Sequence, residues 1–257
     1  MAFRIGEIYR YSNQNRDINN PPQFVDDLPN FFYETFSEDT KSTITFQKGI
    51  HNIASVKTND GQERIPAIII SSSPHKAMTD MTPWEDDFNP DYGHIKYYGD
   101  NKSPETSAEQ SPGNKLLLDA FLRYSSPNMQ ERLNYGIPLI FLKRVEYDGR
   151  KKGNLMFQGF GIIESVSLIT QFNPKLKVPY FSNYVFDMCV FSMNKENENF
   201  SWDWINARRN PKLSNEETNK LAPASWRQWV KEGSSSLYKV EEIFLCPRLS
   251  LNMNKNH

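Results

Sequence analysis

Hydrophobic residues fall in short, separated segments along most of this chain, a pattern that predicts several strands and few helices. Apolar segments that alternate with polar residues, or that end at turn-forming residues, are typical of strands. By this criterion the predicted strands are residues 43–46, 65–70, 94–98, 137–146, 155–170, 184–193 and 240–245. Asn59-Asp60-Gly61 separates two further apolar segments, and an Asp-Gly pair in that position predicts a hairpin turn.

Two segments show the sequence signals of a helix. Residues 114–125 carry their apolar side chains three and four positions apart, and Pro127 ends the pattern. Ser214 followed by Glu217 is a capping-box pattern, which predicts the start of a second helix. Several strands with few helices predict an α+β fold, in which a curved mixed β-sheet or a β-barrel carries peripheral helices.

A third short helix is predicted at residues 224–231, where Gly233 follows as a stop signal. Trp226 and Trp229 are three positions apart and therefore share one face of this helix. We expect both side chains to anchor the helix in the core.

Composition indicates a folded chain without an overall basic charge. At 257 residues the chain can bury a sizeable core, and 13% aromatic residues argue against disorder. The formal net charge is -1, so a chain that binds nucleic acid must gather its cations on one face. We expect an N-terminal segment (1–60) that packs on a main domain (61–245), followed by a flexible tail (246–257).

The two cysteines and the absence of targeting signals indicate a cytoplasmic protein. Cys189 and Cys246 lie in largely apolar segments, so we expect two buried, reduced thiols, although a disulfide between them stays open. The sequence has no recognisable signal peptide and no apolar run long enough to span a membrane.

The segment at residues 82–118 contains the candidate binding pocket. Trp84, Tyr97 and Tyr98 offer flat apolar faces, and Asp86 and Asp100 offer hydrogen-bond acceptors. A planar polar ligand such as a nucleobase needs this combination. Tyr97 and Tyr98 cannot both line one pocket if both lie in a strand, because neighbouring strand residues face opposite ways. In the alternative interpretation the segment is a surface loop, its aromatic rings pack on the core and its carboxylates cap turns.

Several motifs occur in a fixed order along the chain and resemble one known family. They are Thr82-Pro83-Trp84-x-Asp86, Tyr97-Tyr98-Gly99-Asp100-Asn101-Lys102, Gly113-Asn114-Lys115-x-Leu117, Trp202-x-Trp204-x-x-x-Arg208-Arg209 and Ala222-Pro223-x-x-Trp226-x-x-Trp229. Together they resemble the N-terminal recognition domain of AspBHI-type restriction endonucleases, over roughly residues 65–233.

The resemblance implies both a fold and a partner. In that family the domain is similar to the SRA fold and flips a modified cytosine out of duplex DNA, after which a separate nuclease domain cuts nearby. It therefore implies an SRA-like domain that binds double-stranded DNA carrying 5-methylcytosine or a similar base. The pocket of Trp84, Asp86, Tyr97, Tyr98 and Asp100 would then hold the flipped base.

Clustered cations are candidates for contacts with the DNA backbone. Phosphate contacts require Lys or Arg side chains on the bound face. The predicted set is Lys102, Lys115, Arg150, Lys151, Lys152, Arg208 and Arg209. Two alternatives remain: residues 150–152 are a solvated hairpin loop, or Arg208 or Arg209 pairs with Asp203 or Glu217.

No convincing catalytic motif is present in the sequence. Asp91, Asp100 and Lys102 imitate the carboxylate–lysine pattern of metal-dependent nucleases, but their spacing is short. The four histidines lack metal-ligand spacing. We therefore assign no catalytic residue and no metal site, and expect no cofactor in this chain; Mg²⁺ would belong to an attached nuclease domain.

The leading hypothesis is a recognition domain of a modification-dependent restriction system, with a nuclease domain or partner elsewhere. One alternative is a self-contained metal-dependent nuclease, and another is a protein-interaction module without DNA. Metal-dependent cleavage by this chain alone would favour the first alternative, and absence of DNA binding at low salt the second. The sequence leaves open whether the chain forms a homo-oligomer.

Overall fold

The structure, a computed structural model, describes residues 2–12, 19–46, 48–73, 86–89 and 93–237. Its strands are β1 (Ala2–Arg4), β2 (Ile8–Arg10), β3 (Phe24–Val25), β4 (Leu28–Pro29), β5 (Ile50–Asn52), β6 (Val56–Lys57), β7 (Glu63–Arg64), β8 (Ile68–Ser72), β9 (Asp87–Asn89), β10 (His94–Tyr98), β11 (Leu139–Arg144), β12 (Asn154–Phe172), β13 (Tyr180–Val190) and β14 (Asn199–Ser201). Its helices are α1 (Phe31–Glu34), α2 (Pro112–Tyr124), α3 (Met129–Tyr135), α4 (Asp203–Arg209), α5 (Asn215–Lys220) and α6 (Ala224–Glu232).

One large mixed sheet organises the fold. Its strands follow the order β5-β8-β11-β12-β13-β10-β9, and β2 adds to β12 beside this path. The pair β8 and β11 is parallel, whereas the pairs along β12, β13 and β10 are antiparallel. Among the described strands the sheet does not close into a barrel. The predicted α+β fold with a curved mixed sheet is therefore confirmed.

The interior strands are apolar because both of their faces are covered. Ile68, Ile69 and Ile70 of β8 are fully buried between β5 and β11. The strand then ends in two serines, Ser71 and Ser72, which are also buried. β12 is the longest strand, at 19 residues, and its outer half extends beyond the core together with β13.

The helices cover the sheet and enclose an aromatic core. α2 packs on β12, and α3 packs on α6. The rings of Trp226 and Trp229 on α6 lie 4.8 Å apart, and Trp204 of α4 lies 5.2 Å from Trp226. All three tryptophans are buried, so the predicted anchoring role of the α6 pair is confirmed.

Local signals in the sequence correctly predicted several element boundaries. The Asp-Gly turn joins β6 and β7, with Gly61 at a positive φ of 84°. Ser214 and Glu217 form the predicted capping box at the start of α5. The predicted helix at residues 114–125 is α2, which begins two residues earlier at Pro112.

The prediction of a strand at residues 43–46 is wrong. This segment is buried, but side chains rather than a neighbouring strand satisfy its backbone. The amide of Ile44 donates to the hydroxyl of Thr35, and the amide of Phe46 donates to the hydroxyl of Tyr11. Burial of Ile44 and Phe46 explains the strand-like apolar pattern, which therefore reflects packing and not strand pairing.

The N-terminal segment is joined to the rest of the chain by strand pairing. β1 pairs with β14 and β2 pairs with β12. The side chain of Cys189 on β13 is half-buried, whereas Cys246 and the predicted strand at 240–245 lie outside the described residues. Across the parts of the chain that are described, every helix is too short or too polar to cross a membrane.

Candidate nucleic-acid interface

The ends of strands β8 and β10, which are separated in the sheet, meet at the carboxylate of Asp86. One carboxylate oxygen accepts from the hydroxyl of Ser72 at 3.0 Å, and the other accepts from the backbone N–H of Tyr98 at 3.0 Å. Ser72 ends β8 and Tyr98 ends β10, and the sheet order places β11, β12 and β13 between these strands. Asp86 therefore bridges positions that are distant along the sheet. We call the meeting point, formed by Ser71, Ser72, Asp86 and Tyr98, the seam.

The two neighbouring tyrosines of β10 face opposite sides of the sheet. Tyr97 is 6% exposed and packs near the ring of Phe88, whereas Tyr98 is only half-buried. Both tyrosines lie in β10, as the prediction that they cannot share a pocket requires. Of the two predicted stacking residues, Tyr98 has ring surface available for a base, while Tyr97 is part of the core.

The hydroxyl of Tyr97 is buried, and the charges of both candidate carboxylates act on it. Burial raises the pKa of Tyr97 well above its usual range, and the charges of Asp86 and Asp100 raise it further. A Cβ built on Gly49 would lie 2.6 Å from the Tyr97 oxygen, so the hydroxyl packs closely against the backbone that precedes β5. Tyr97 is therefore a buried, neutral phenol at neutral pH.

Asp100 joins the seam to α2. One oxygen of its carboxylate accepts from the N–H of Gly113 at 2.9 Å, and the other accepts from the N–H of Asn114 at 3.0 Å. These amides belong to the first turn of α2, which lacks partners of its own. Asp100 remains exposed, and a carboxylate has lone pairs beyond the two that these bonds use.

Sequence analysis did not place Ser71, Ser72 or Arg144 at this site. The Arg144 Nε donates to the hydroxyl of Ser71 at 3.3 Å, which brings a cation to the seam. Ser71 and Arg144 come together because β8 pairs in parallel with β11, and neighbouring parallel strands end at the same edge of a sheet. Without the sheet order, that relationship could not be inferred from the sequence.

The predicted lysines all lie at the surface. Lys102, Lys115, Lys151 and Lys152 are exposed and can reach a phosphate. Arg150 is exposed too, but its guanidinium pairs with Asp26, which also accepts from the Arg10 Nε at 2.8 Å. The hydrogen bond from Arg10 and the charge of Arg150 lower the pKa of Asp26.

The structure contradicts the prediction that Arg208 contacts phosphate. Arg208 is 3% exposed, and its guanidinium donates to the carbonyls of Pro66, Ile65 and Gly136 at 2.8–3.0 Å. Burial lowers the pKa of Arg208 to about 9, so the side chain stays charged at neutral pH. The N–H groups of its guanidinium donate to backbone carbonyls in the core, so they are not available to DNA.

The same correction applies to Arg209. Arg209 is 9% exposed and donates to the side chains of Asn206, Thr40 and Ser42. Neither alternative pairing, with Asp203 or with Glu217, is among the contacts that the structure gives for the two arginines. Both residues hold α4 to the N-terminal half of the chain.

A hairpin arm, residues 165–187 of β12 and β13 with their connecting loop, presents an apolar face to solvent. Leu168, Phe172 and Tyr180 are 62%, 49% and 61% exposed, and the last two rings lie 5.1 Å apart. Lys175 and Lys177 are exposed in the loop at its tip. Exposed aromatic residues beside cations are suited to contact with nucleic acid.

The described residues contain no cluster of His, Cys, Asp or Glu that could hold a metal ion. In the carboxylate–lysine pattern, Asp91 lies outside the part of the chain that the structure describes. Asp100 has both oxygens engaged at α2, while Lys102 is exposed. The three residues are therefore not seen as an assembled site.

The fold is similar to three solved structures. The MspJI restriction endonuclease in complex with a 27-mer oligonucleotide matches with a TM-score of 0.80 and 31% identity, over 92% of this chain and 53% of that one. The DNA recognition domain of the cytosine modification-dependent restriction endonuclease LpnPI matches with a TM-score of 0.59 and 16% identity, over 90% and 88%. The DNA modification-dependent restriction endonuclease AspBHI matches with a TM-score of 0.59 and 16% identity, over 90% of each chain.

These similarities define the class of protein. The fold resembles those of the LpnPI DNA recognition domain and of AspBHI. The chain belongs to the family described as restriction endonuclease AspBHI N-terminal, whose sequence model matches residues 4–241. It spans about half the length of the MspJI chain. No curated protein sequence matches it significantly.

Proposed function

We propose that this chain binds duplex DNA and recognises a modified cytosine, such as 5-methylcytosine, that has left the base stack. In this proposal the base occupies the seam. The observation that carries the proposal is the seam, where the carboxylate of Asp86 joins Ser72 of β8 to the backbone of Tyr98 on β10, and the exposed Asp100 follows Tyr98 by two residues. A flipped base needs directed polar groups for its edge and a flat face for its ring.

The chemistry of cytosine fits the groups at the seam. Its exocyclic amine is a donor, and Asp100 keeps free acceptor capacity on its exposed side. The half-buried ring of Tyr98 provides a stacking face, worth about 1–3 kcal/mol for one base. Trp84, which precedes Asp86 by two residues in the sequence, is the proposed second stacking ring and lies outside the described residues.

The exposed lysines are the proposed contacts to the DNA backbone. Lys102 and Lys115 flank the turn that carries Asp100, and Lys151 and Lys152 lie in the loop between β11 and β12. Arg150 contacts the DNA backbone only where a phosphate displaces Asp26 from its guanidinium. The hairpin arm adds aromatic surface and two further lysines beside the duplex.

Cleavage is assigned to a separate nuclease domain or partner. This assignment is supported by the family, whose name refers to the N-terminal part of a restriction endonuclease, and by the greater length of the MspJI chain. Mg²⁺ would act in that domain. The self-contained nuclease is the second candidate, and it would use Asp91, Asp100 and Lys102.

A binding titration tests the proposal. Three duplexes of identical sequence, with unmodified, methylated or hydroxymethylated cytosine at one position, are titrated at one salt concentration, with and without Mg²⁺. We expect tighter binding to a modified duplex and no cleavage. Equal affinity for all three duplexes would contradict the recognition of a modified base, and cleavage by this chain alone would favour the nuclease.

A further inference from the structure

A cluster of buried amide side chains lies behind the turn that carries Asp100. Asn114 on α2 and Asn183 on β13 are fully buried, and Gln171 on β12 is 7% exposed. Buried polar side chains cost stability unless they are hydrogen-bonded, so each bond in such a cluster has a structural consequence.

The bonds of this cluster converge on the side chain of Asn183, which also reaches a backbone carbonyl beside the seam. The amide nitrogen of Asn183 donates to the carbonyl of Gly99 at 2.9 Å and to the Gln171 Oε1 at 2.7 Å. Its oxygen accepts from the amide of Asn114 at 3.0 Å. The side chain of Asn183 therefore links the hairpin arm, α2 and the turn at Gly99.

The turn has no freedom to move toward these side chains. A Cβ built on Gly99 would lie 1.9 Å from the Asn114 Oδ1 and 2.7 Å from the Asn183 Oδ1. Gly99 is required here because both amides approach its backbone closely. The position of Asp100, the next residue, is thus set by the amides and by its own bonds to α2.

We propose that Asn183 is a positioning residue for base discrimination, because it fixes the turn at Gly99 from which Asp100 reaches the seam. The inference rests on the proposed recognition of a modified base. The added residue, Asn183, lies on β13, whereas Asp100 follows β10. Asn183 is fully buried and does not itself contact DNA.

The arrangement of Asn183 is not what strand packing alone requires. Its neighbours on the same face of β13, Phe181 and Val185, are apolar and buried. An apolar side chain would fill the same position without a need for partners. In addition, the buried Nε2 of Gln171 has no hydrogen-bond partner among the residues that the structure describes, which is unfavourable for stability. An amide at position 183 is therefore better explained by its bond to Gly99.

The test compares Asn183→Ala with a matched control, Asn215→Ala. Asn215 is likewise buried, accepts from the Arg64 Nη1 and donates to Gln62 and Asn134, away from the seam. The affinities for modified and unmodified duplexes and the Tm are measured for both variants. One well-placed base-edge contact discriminates by about 5- to 150-fold. We expect Asn183→Ala to lower the modified-to-unmodified affinity ratio at least about fivefold, while Asn215→Ala leaves it unchanged.

Asn183→Ser provides a second variant if the alanine variant does not fold. Its hydroxyl and a water molecule can satisfy the buried carbonyl, but they do not hold Gly99 at the same position. A reduced ratio in a folded serine variant supports the inference, and an unchanged ratio in the folded variants overturns it. If wild-type protein shows no preference for modified DNA, the proposed function itself fails, so the two failures are distinguishable.

Discussion

Asp100 and Asn114 cap each other's backbone. The carboxylate of Asp100 accepts from the backbone N–H of Asn114 at 3.0 Å, and the side-chain oxygen of Asn114 accepts from the backbone N–H of Asp100 at 3.0 Å. This reciprocal pair fixes the start of α2 relative to the end of β10. The helix thereby becomes a rigid support for the seam rather than an independent surface element.

Asp100→Asn tests the two roles of this carboxylate together. The change turns one acceptor into an amide group, so Gly113 or Asn114 loses its partner in the first turn of α2. We expect the free energy of unfolding to fall by about 1 kcal/mol, as for loss of a helix cap. Because the proposed contact to the amine of the flipped base is also altered, and only the modified base is proposed to occupy the seam, we expect discrimination between modified and plain DNA to fall more than overall affinity. A normal ratio with lowered stability would leave Asp100 a purely structural residue.

Arg208→Lys separates a structural arginine from one that contacts DNA. Lysine keeps the charge but lacks the planar fork that reaches three carbonyls. Each buried carbonyl left without a donor costs about 1–3 kcal/mol, so we expect a loss of at least about 2 kcal/mol in chemical denaturation. The salt dependence of DNA binding by the folded fraction stays unchanged. Intact stability combined with weaker DNA binding would refute the structural role.

The exposed lysines predict a salt-dependent contact with the backbone. Replacing Lys102, Lys115, Lys151 or Lys152 singly with alanine removes at most one phosphate contact. We expect weaker binding to all duplexes alike and a decrease of about one in the slope of log affinity against log salt. Lys220→Ala, on α5, is the control for a general charge effect. If all four variants had the same salt slope as wild type, these lysines would not be part of the interface.

His51 predicts a loss of stability at acid pH. Burial, together with the charge of Lys48, lowers the pKa of His51 below its ordinary value of 6.5. Just below pH 6.5, His51 binds a proton in the unfolded chain but not in the folded chain. Folding stability therefore decreases as the pH falls from about 7 to about 5. In His51→Gln this contribution disappears, and urea titrations at both pH values should show a smaller decrease than in wild type. Equal decreases would show that His51 does not contribute.

Local features of the fold could be predicted from the sequence because they depend on neighbours in the chain. The Asp-Gly hairpin, the capping box at Ser214 and the opposite orientation of Tyr97 and Tyr98 are of this kind. Each follows from a backbone geometry that spans a few residues. The anchoring of α6 by its tryptophans follows from helical spacing in the same way.

The long-range features could not be predicted in this way. Arg208 is buried because the carbonyls of residues 65, 66 and 136 surround it, and no local pattern distinguishes it from a surface cation. The bridge from Asp86 to Ser72 exists because the sheet curves back on itself. Asn183 appears in the sequence as one polar residue in an apolar strand, and its bond to Gly99 spans 84 positions.

The most direct test of the account is whether the modified cytosine leaves the duplex at the seam. A 2-aminopurine placed next to the modified cytosine becomes more fluorescent when its neighbour leaves the stack, and its signal is measured on binding of wild type and of Tyr98→Ala. The account predicts an increase for wild type on the modified duplex, little increase on the unmodified duplex, and a reduced increase for Tyr98→Ala. Selective, tight binding of modified DNA without any increase, or a full increase with Tyr98→Ala, would contradict it.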